Sequence, residues 1–203
     1  MRLSKSIVSA WCVGVVLALT AATAAEEVRQ AVSHRDEKWT IDGVENFGRM
    51  NDRLYRGAQP TNDGFRHLRD LGIGTVVRLS LGDEGTRSER AIVKALGMRF
   101  IGLPWSSAHD PTAEQVVEFL RFAELYPDER IFVHCKAGAD RTGVFVALYR
   151  MVLDRWSAAD AIDEMKAFHY RYVFLPHLQS YVEAFPGSLR TDPRFESLEA
   201  APR

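Results

Sequence analysis

The stretch of sequence that decides the fold is Ile131–Gly143, which reads IFVHCKAGADRTG. Its first residues are apolar and β-branched, so they predict a buried strand, and the apolar residues that continue from Thr142 predict a helix. Between them lies a short turn that begins with Cys135 and contains Gly138 and Arg141. The stretch therefore predicts a strand-to-helix turn with a thiol at the carboxyl end of the strand, where open α/β sheets bind their ligands.

Strand and helix patterns alternate along most of the chain. The predicted strands cover residues 53–57, 73–79, 98–105 and 131–135. The predicted helices cover residues 62–72, 86–97, 112–129, 142–153, 157–170 and 175–185. Because the strands alternate with helices of about ten residues or more, we expect an α/β fold. Its central sheet is predicted to be mostly parallel, with about four to five strands and with helices on both faces.

Short polar side chains mark the expected helix starts. Thr61 and Ser157 each precede a helical pattern and are predicted N-caps. Thr112 is followed three residues later by a glutamine, which predicts a capping box. Thr86 and Glu89 have the same spacing and predict a second capping box.

The composition is that of a soluble globular protein, with 46% hydrophobic and 26% charged residues, and 203 residues suffice for one domain with its own core. The net charge of −1 shows no basic excess, so we expect no nucleic-acid partner. We predict four segments: a signal peptide at 1–24, a lead-in at 25–45, the folded domain at 46–188 and a polar tail at 189–203.

The N-terminus has the three-part order of a secretory signal. MRLSKS carries two positive charges, an apolar run follows, and Ala22–Ala24 offers a small-residue cleavage site. The chain is therefore predicted to be exported, either to a periplasm or to the medium, with no stable membrane span once the signal is cleaved. The alternative is that the apolar segment remains uncleaved and anchors the protein in a membrane.

The cysteine count bears on the thiol at the predicted turn. The chain has two cysteines, and Cys12 lies in the segment that would be removed on export. The mature chain would keep Cys135 alone, so no internal disulfide is expected. An unpaired thiol in an exported protein is either a buried inert residue or a functional one.

The residues around Cys135 favour a functional thiol. Loop amides before a helix N-terminus form a concavity that binds oxyanions, and the guanidinium of Arg141 can hold two oxygens of such a group. The same field favours the thiolate, so a site that binds phosphate also activates the sulfur that attacks it. The loop thus predicts phosphoryl transfer through a cysteinyl-phosphate, with His134 orienting the loop or the thiol. Thr142 is expected to donate its hydroxyl to the sulfur when the sulfur leaves.

The predicted phosphate-binding residues are consecutive: Lys136, Ala137, Gly138, Ala139, Asp140 and Arg141. Asp140 is expected to orient loop or substrate groups, and Lys136 would favour a substrate with additional negative charge. Arg56 and Arg78 either reach the rim of the pocket or form structural salt bridges. The histidines lack metal-ligand spacing, so neither a metal nor another cofactor is expected.

The segment HCKAGADRTG resembles the H-C-x5-R-[ST]-G loop of cysteine-dependent protein tyrosine and dual-specificity phosphatases. The likeness extends over residues 50–185, where LYRGAQPT and GIGTVVRL resemble the opening of compact dual-specificity enzymes and of inositol-pyrophosphate phosphatases. The resemblance implies that residues 46–188 form a phosphatase domain. It also implies a substrate that is either a phosphorylated protein or a phosphoinositide or inositol phosphate.

The resemblance also implies a general acid, an aspartate on a loop some tens of residues before the cysteine. Asp110 in SSAHDPT is the candidate because it lies between a predicted strand and a capped helix. In relatives the aspartate often lies nearer the strand end, where this chain has Trp105 and two serines. Asp110 could instead only shape the turn before Pro111, and His109 is a further candidate for the acid.

Two other classes of function compete with the hydrolase. One is a catalytically dead phosphatase that only binds phosphate, which is expected if no carboxylate can approach the loop. The other is sulfur transfer or arsenate reduction on a similar cysteine loop, although arsenate reductases need resolving cysteines that the mature chain would lack. The sequence leaves open the choice between protein and inositol-phosphate substrates, and the oligomeric state.

Overall fold

The computed structural model describes residues 40–199, so the predicted signal peptide and residues 25–39 of the lead-in lie outside the described residues. The described part contains a five-stranded sheet in the order β1-β2-β5-β3-β4. The strands are β1 Gly48–Arg49, β2 Leu54–Gly57, β3 Thr75–Arg78, β4 Arg99–Gly102 and β5 Ile131–His134. Strand β1 is antiparallel to β2, and the other pairs are parallel. The predicted α/β fold and the mostly parallel sheet are confirmed.

Helices cover both faces of this sheet. They are α1 Asn62–Asp70, α2 Asp83–Ala95, α3 Ala113–Leu125, α4 Asp140–Val152, α5 Ala158–Ala167, α6 Pro176–Thr191 and α7 Glu196–Glu199, with a 3-10 turn at Pro193–Phe195. Alternate residues of β5 enter different cores, because successive side chains of a strand point to opposite faces. Phe132 packs with residues of α1 and α2, whereas Ile131 and Val133 pack with α3 to α6. Among the residues described, no helix combines the length and apolar content needed to cross a membrane.

Helix α4, which follows the cysteine loop, is the central helix of the larger core. All its residues from Thr142 to Val152 are buried. Its one buried cation, Arg150, donates hydrogen bonds of 2.8–3.0 Å to Glu164 of α5, and its guanidinium lies 4.1 Å from the Trp156 ring centre. The helix is therefore fixed on all sides, which gives the loop before it a rigid support.

Three of the predicted helix starts are confirmed, and one is wrong. Thr61, Thr112 and Ser157 each accept a backbone N–H in the first turn of their helix. Thr86 does not begin a helix, because α2 starts one turn earlier and the Thr86 hydroxyl donates to the Gly82 carbonyl at 2.6 Å. Glu89 takes no part in capping, since buried cationic and polar partners hold its carboxylate inside the protein.

Several helix boundaries also differ from prediction, and helix α3, for example, ends at Leu125 rather than at residue 129. Helix α4 begins at Asp140, inside the signature loop, two residues before the predicted start. Helix α6 passes its predicted end at Phe185 and continues to Thr191, and Phe195 and Leu198 of the predicted polar tail are buried in the larger core. The rings of Phe185 and Phe195 meet edge-on with 5.3 Å between their centres, so apolar contacts hold this part of the tail against the domain.

Candidate active site

Cys135 follows the central strand β5 directly and is 3% exposed. It lines a cavity of about 870 Å³ at the carboxyl end of the strand. Loop residues that line the same cavity are Cys135, Lys136, Ala137, Ala139, Asp140 and Arg141. Residues from elsewhere in the chain complete its wall: Glu45, Asn46, Ser107, His169 and Arg171. The structure thus brings most of the predicted phosphate-binding residues together around the thiol.

Residues from the first part of the domain hold the loop by its carbonyl groups. The carbonyl oxygen of Gly138 accepts hydrogen bonds from Nη2 of Arg56 at 2.8 Å and from Nδ2 of Asn46 at 3.1 Å. The backbone N–H of Gln59 donates to the carbonyl of Lys136 at 3.2 Å. Because carbonyl oxygens repel an anion, binding them to the protein leaves the loop better suited to hold one.

Only glycine fits at position 138 of the loop. Its φ of +67° is in the left-handed region, and a Cβ at this position would lie 2.5 Å from the backbone nitrogen of Ala58 and the carbonyl oxygen of Gly57. The loop and the end of β2 are therefore in backbone contact. This contact explains physically why the turn predicted from the sequence contains a glycine here.

His134 connects the loop to a buried polar cluster. Its Nε2 lies 2.8 Å from Oε1 of Glu89, and its Nδ1 lies 3.3 Å from the carbonyl oxygen of Cys135. Glu89 also accepts a 2.8 Å hydrogen bond from Gln59 and forms an ion pair with Arg78. Burial acts to raise the pKa of Glu89, but the hydrogen bonds from His134 and Gln59 and the nearby positive charges bring it below its usual value.

The sequence did not identify Glu89, Gln59 or Asn46 as parts of the site. Arg78 was expected at a strand end, either at the rim of the pocket or in a salt bridge. It lies in the wall of a neighbouring cavity and also pairs with Glu89. One signal could have pointed to Glu89, namely an acid on the helix after a strand that ends in arginine.

Asp140 connects the loop to the segment after α5. Its carboxylate accepts hydrogen bonds from Nε and Nη2 of Arg171 at 2.9 and 2.7 Å, and from the backbone N–H of Arg171 at 3.0 Å. These hydrogen bonds and the charge of Asp140 raise the pKa of Arg171. Asp140 therefore holds Arg171 beside the loop, and a second guanidinium lies in the wall of the Cys135 cavity.

The remaining predicted side chains differ in how they are placed. Nη1 of Arg141 donates to the Trp105 carbonyl at 3.1 Å, so the guanidinium is held at the edge of the cavity. The hydroxyl of Thr142 is buried and has no hydrogen-bond partner among the described residues, Cys135 included. Within residues 40–199, no cluster of three or more His, Cys, Asp or Glu side chains could hold a metal ion.

The structure does not bring Asp110 to Cys135. Asp110 is exposed and lines a separate cavity of about 400 Å³ together with Tyr181 and Arg194. Ser107, three residues earlier, does line the cavity of the cysteine. The loop between them is held by Nε1 of Trp105, which donates to the His109 carbonyl at 2.9 Å.

Comparisons with known proteins agree with this fold. Residues 28–172 match the model of a family described as DSP-PTPase phosphatase fused to NAD+ kinase. The dual specificity protein phosphatase TpbA of Pseudomonas aeruginosa is 33% identical over 142 residues, which cover 68% of this chain. The chain spans 62% of the length of that relative.

Solved structures of phosphatases have a similar fold. The crystal structure of P. aeruginosa TpbA matches with a TM-score of 0.64 and 26% identity, over 81% of this chain and 97% of that one. A cysteine-to-serine variant of TpbA was crystallised in complex with phosphotyrosine. The catalytic core of the PP-IP phosphatase Siw14 of S. cerevisiae has the same fold, with a TM-score of 0.62 and 20% identity over 71% of this chain and 87% of that one.

Proposed function

The chain belongs to the family of DSP-PTPase phosphatases, and on that premise we propose that it hydrolyses phosphate monoesters through a cysteinyl-phosphate intermediate. One observation carries the proposal. The Cys135 thiol and the Arg141 guanidinium flank a loop whose carbonyls are bound to the protein, at the start of helix α4. This arrangement suits a phosphate held by amides, by the helix dipole and by a guanidinium, beside a sulfur nucleophile.

The reaction has two steps. The thiolate of Cys135 attacks phosphorus, a sulfur–phosphorus bond forms, and the bond to the ester oxygen breaks while a general acid protonates that oxygen. Water then attacks the cysteinyl-phosphate, gives its proton to the same group and releases inorganic phosphate. The departing sulfur takes the electron pair, and the hydroxyl of Thr142 has no competing partner within the described residues, so it is free to donate to that sulfur.

We propose Asp110 as the general acid. Its loop supplies Ser107 to the wall of the Cys135 cavity, so the segment already borders the reacting atoms. Asp110 itself lines a different cavity, so its role requires the residues after Ser107 to shift toward Cys135 when substrate binds. His109 is the alternative acid on the same loop.

The substrate class follows from the relatives only by analogy. TpbA is a protein phosphatase and Siw14 is a PP-IP phosphatase, so phosphorylated proteins and inositol phosphates are both candidate substrates. We also propose that the chain is exported, because its N-terminal sequence has the order of a signal peptide. N-terminal sequencing of the mature protein would reveal cleavage after Ala24.

The test of the proposed function is Cys135→Ser. We expect release of phosphate from phosphotyrosine peptide and from inositol phosphates to be lost, whereas binding of tungstate, a phosphate analogue, persists. Rapid acid quenching of wild type with ³²P-labelled substrate should trap label on Cys135. If wild type binds tungstate but releases no phosphate from any substrate, the chain is the phosphate-binding module considered above.

A further inference from the structure

A second cavity of about 370 Å³ adjoins the cavity of the cysteine. The walls of the two cavities share Ser107, Lys136 and Arg141, so the cavities meet at the loop. The other lining residues of this second cavity, which we call the side cavity, are Gln59, Arg78, Ser80, Leu81 and Ser106. Its volume is within the range of about 300–1,000 Å³ typical of small-molecule sites.

The side cavity is positively charged. Three of its lining residues, Arg78, Lys136 and Arg141, are cationic, and none of the described residues that line it is acidic. Arg78 is held in place because its Nη1 donates to Glu89 and to Gln59. The guanidinium is thus fixed by its own network and need not be ordered by a ligand.

Two buried donors next to the cavity lack acceptors. The hydroxyl of Ser80 and Nε of Arg78 are buried and have no hydrogen-bond partner among the residues of the described chain. Both residues are 7% exposed and line the side cavity. An unpaired buried donor is unfavourable, and an oxyanion in the cavity is the acceptor that this set of donors and charges fits.

We infer that the side cavity binds a second phosphate group on the substrate while the scissile phosphate lies at Cys135. The inference rests on the proposed function and narrows its substrate class to compact molecules that carry two phosphates close together. Arg141 and Lys136 line both cavities, so each can contact a phosphate in either one. A buried, preordered cation and a buried hydroxyl fit a rigidly attached phosphate better than a flexible acidic side chain of a peptide.

The experiment compares phenyl phosphate with 1,3-phenylene bisphosphate, which differ only in the second phosphate. We expect kcat/KM per phosphate to be roughly 10–100-fold higher for the bisphosphate, as charge-assisted hydrogen bonds would give. Calorimetry on Cys135→Ser should show a similar preference in binding, independent of turnover. Equal values for the two compounds in both measurements, with Cys135-dependent turnover intact, would overturn the subsite and leave the proposed function standing.

Variants then test whether the preference for the bisphosphate arises in the side cavity. Ser80→Asp places a negative charge in the side cavity and should bring the ratio for the two substrates close to one, whereas Ser80→Ala should lower it partly. The matched control is Ser88→Asp, which adds the same charge on an exposed position of α2 and should leave the ratio unchanged. If Ser80→Asp does not fold, as judged by circular dichroism, Lys136→Gln provides the second measurement. An unchanged ratio in Ser80→Ala and Lys136→Gln contradicts the inference.

A second pair of substrates tests peptide recognition. Phosphotyrosine peptides with glutamate or with glutamine beside the phosphotyrosine should be hydrolysed with similar kcat/KM. If the glutamate peptide alone is preferred and the phenylene pair shows no difference, the side cavity serves acidic peptides and our inference is wrong. Absence of Cys135-dependent turnover with every compound would instead overturn the proposed function.

Discussion

Nε2 of His134 lies 2.8 Å from Oε1 of Glu89, so the residue before the cysteine is bonded to the middle of helix α2. The other ring nitrogen of His134 faces the Cys135 carbonyl, and the ring is therefore fixed from two sides. Glu89 also pairs with Arg78, which lies in the wall of the side cavity. The Glu89 carboxylate thus contacts both the residue that precedes the thiol and a cation of the side cavity.

Replacing Glu89 with glutamine should destabilise the protein by about 3–5 kcal/mol at neutral pH, because Arg78 would be left as an unpaired buried charge. The lowered pKa of Glu89 sets the pH dependence. Because the pKa of Glu89 is lower in the folded protein, its carboxylate stabilises the fold fully at pH values above its ordinary pKa of 4.5. This contribution is lost as the pH falls through the folded-state pKa. Urea unfolding of both proteins should show a constant difference above that value and a shrinking one below it.

Glu118→Gln is the control for this series, since Glu118 is exposed on α3. Its unfolding free energy should stay within about 0.5 kcal/mol of wild type across the same range. A Glu89→Gln variant that is as stable as wild type at neutral pH would show that the buried cluster does not stabilise the fold.

Gly138→Ala should destabilise the protein by about 1–3 kcal/mol and lower phosphate binding, since the new methyl group would displace the loop from β2. Calorimetric titration with tungstate measures the binding, and thermal unfolding measures the stability. The matched control is Gly187→Ala in helix α6, where a Cβ meets no atom within 4 Å and alanine favours the helix. Equal tungstate affinity in the two variants would be inconsistent with a required glycine.

Asp110→Asn should lower kcat by about 10²–10⁴ if Asp110 protonates the leaving oxygen. The loss should be much smaller for p-nitrophenyl phosphate, because its leaving group needs no proton at neutral pH. Steady-state kinetics with phenyl and p-nitrophenyl phosphate give the comparison, and Glu114→Gln in the same cavity is the control. Unchanged kinetics with phenyl phosphate would assign the acid to another residue, with His109 tested next.

Thr142→Val should leave thermal stability unchanged or raise it, since it removes a buried hydroxyl that has no partner in the described structure. Turnover should nevertheless fall, and cysteinyl-phosphate should accumulate, because the sulfur loses a donor when it leaves. Quenched-flow trapping of labelled enzyme measures the intermediate, and Thr142→Ser, which keeps the hydroxyl, should behave like wild type. Unaltered turnover in Thr142→Val would show that the hydroxyl is not used.

Local patterns predicted the scaffold of the site well. The strand before Cys135 and the caps at Thr61, Thr112 and Ser157 depend on neighbouring residues alone, and all are confirmed. The assignment of Glu89 to a capping box was wrong because the position of this residue depends on a partner that is distant in the sequence. A capping box and a buried ion pair can use the same residue types, and only the partner on β3 decides between them.

Contacts between distant segments account for the rest of what the sequence did not reveal. Asn46 carries no signal of its own, since its role depends on the loop carbonyls that it reaches across the fold. Phe195 was assigned to a polar tail because its neighbours in the sequence are polar. In the structure its ring packs against Phe185 in the core. The position of Asp110 depends on the path of its loop, which spacing from Cys135 does not define.

The donors that hold the Gly138 carbonyl come from 92 and 82 residues earlier in the chain. Such long-range pairings close late in folding, because large chain segments must be ordered first. On dilution from denaturant, helical ellipticity should therefore recover before phosphatase turnover does. Recovery of turnover would then report completion of the whole domain, and a fragment that begins after β2 would be inert even with its cysteine intact.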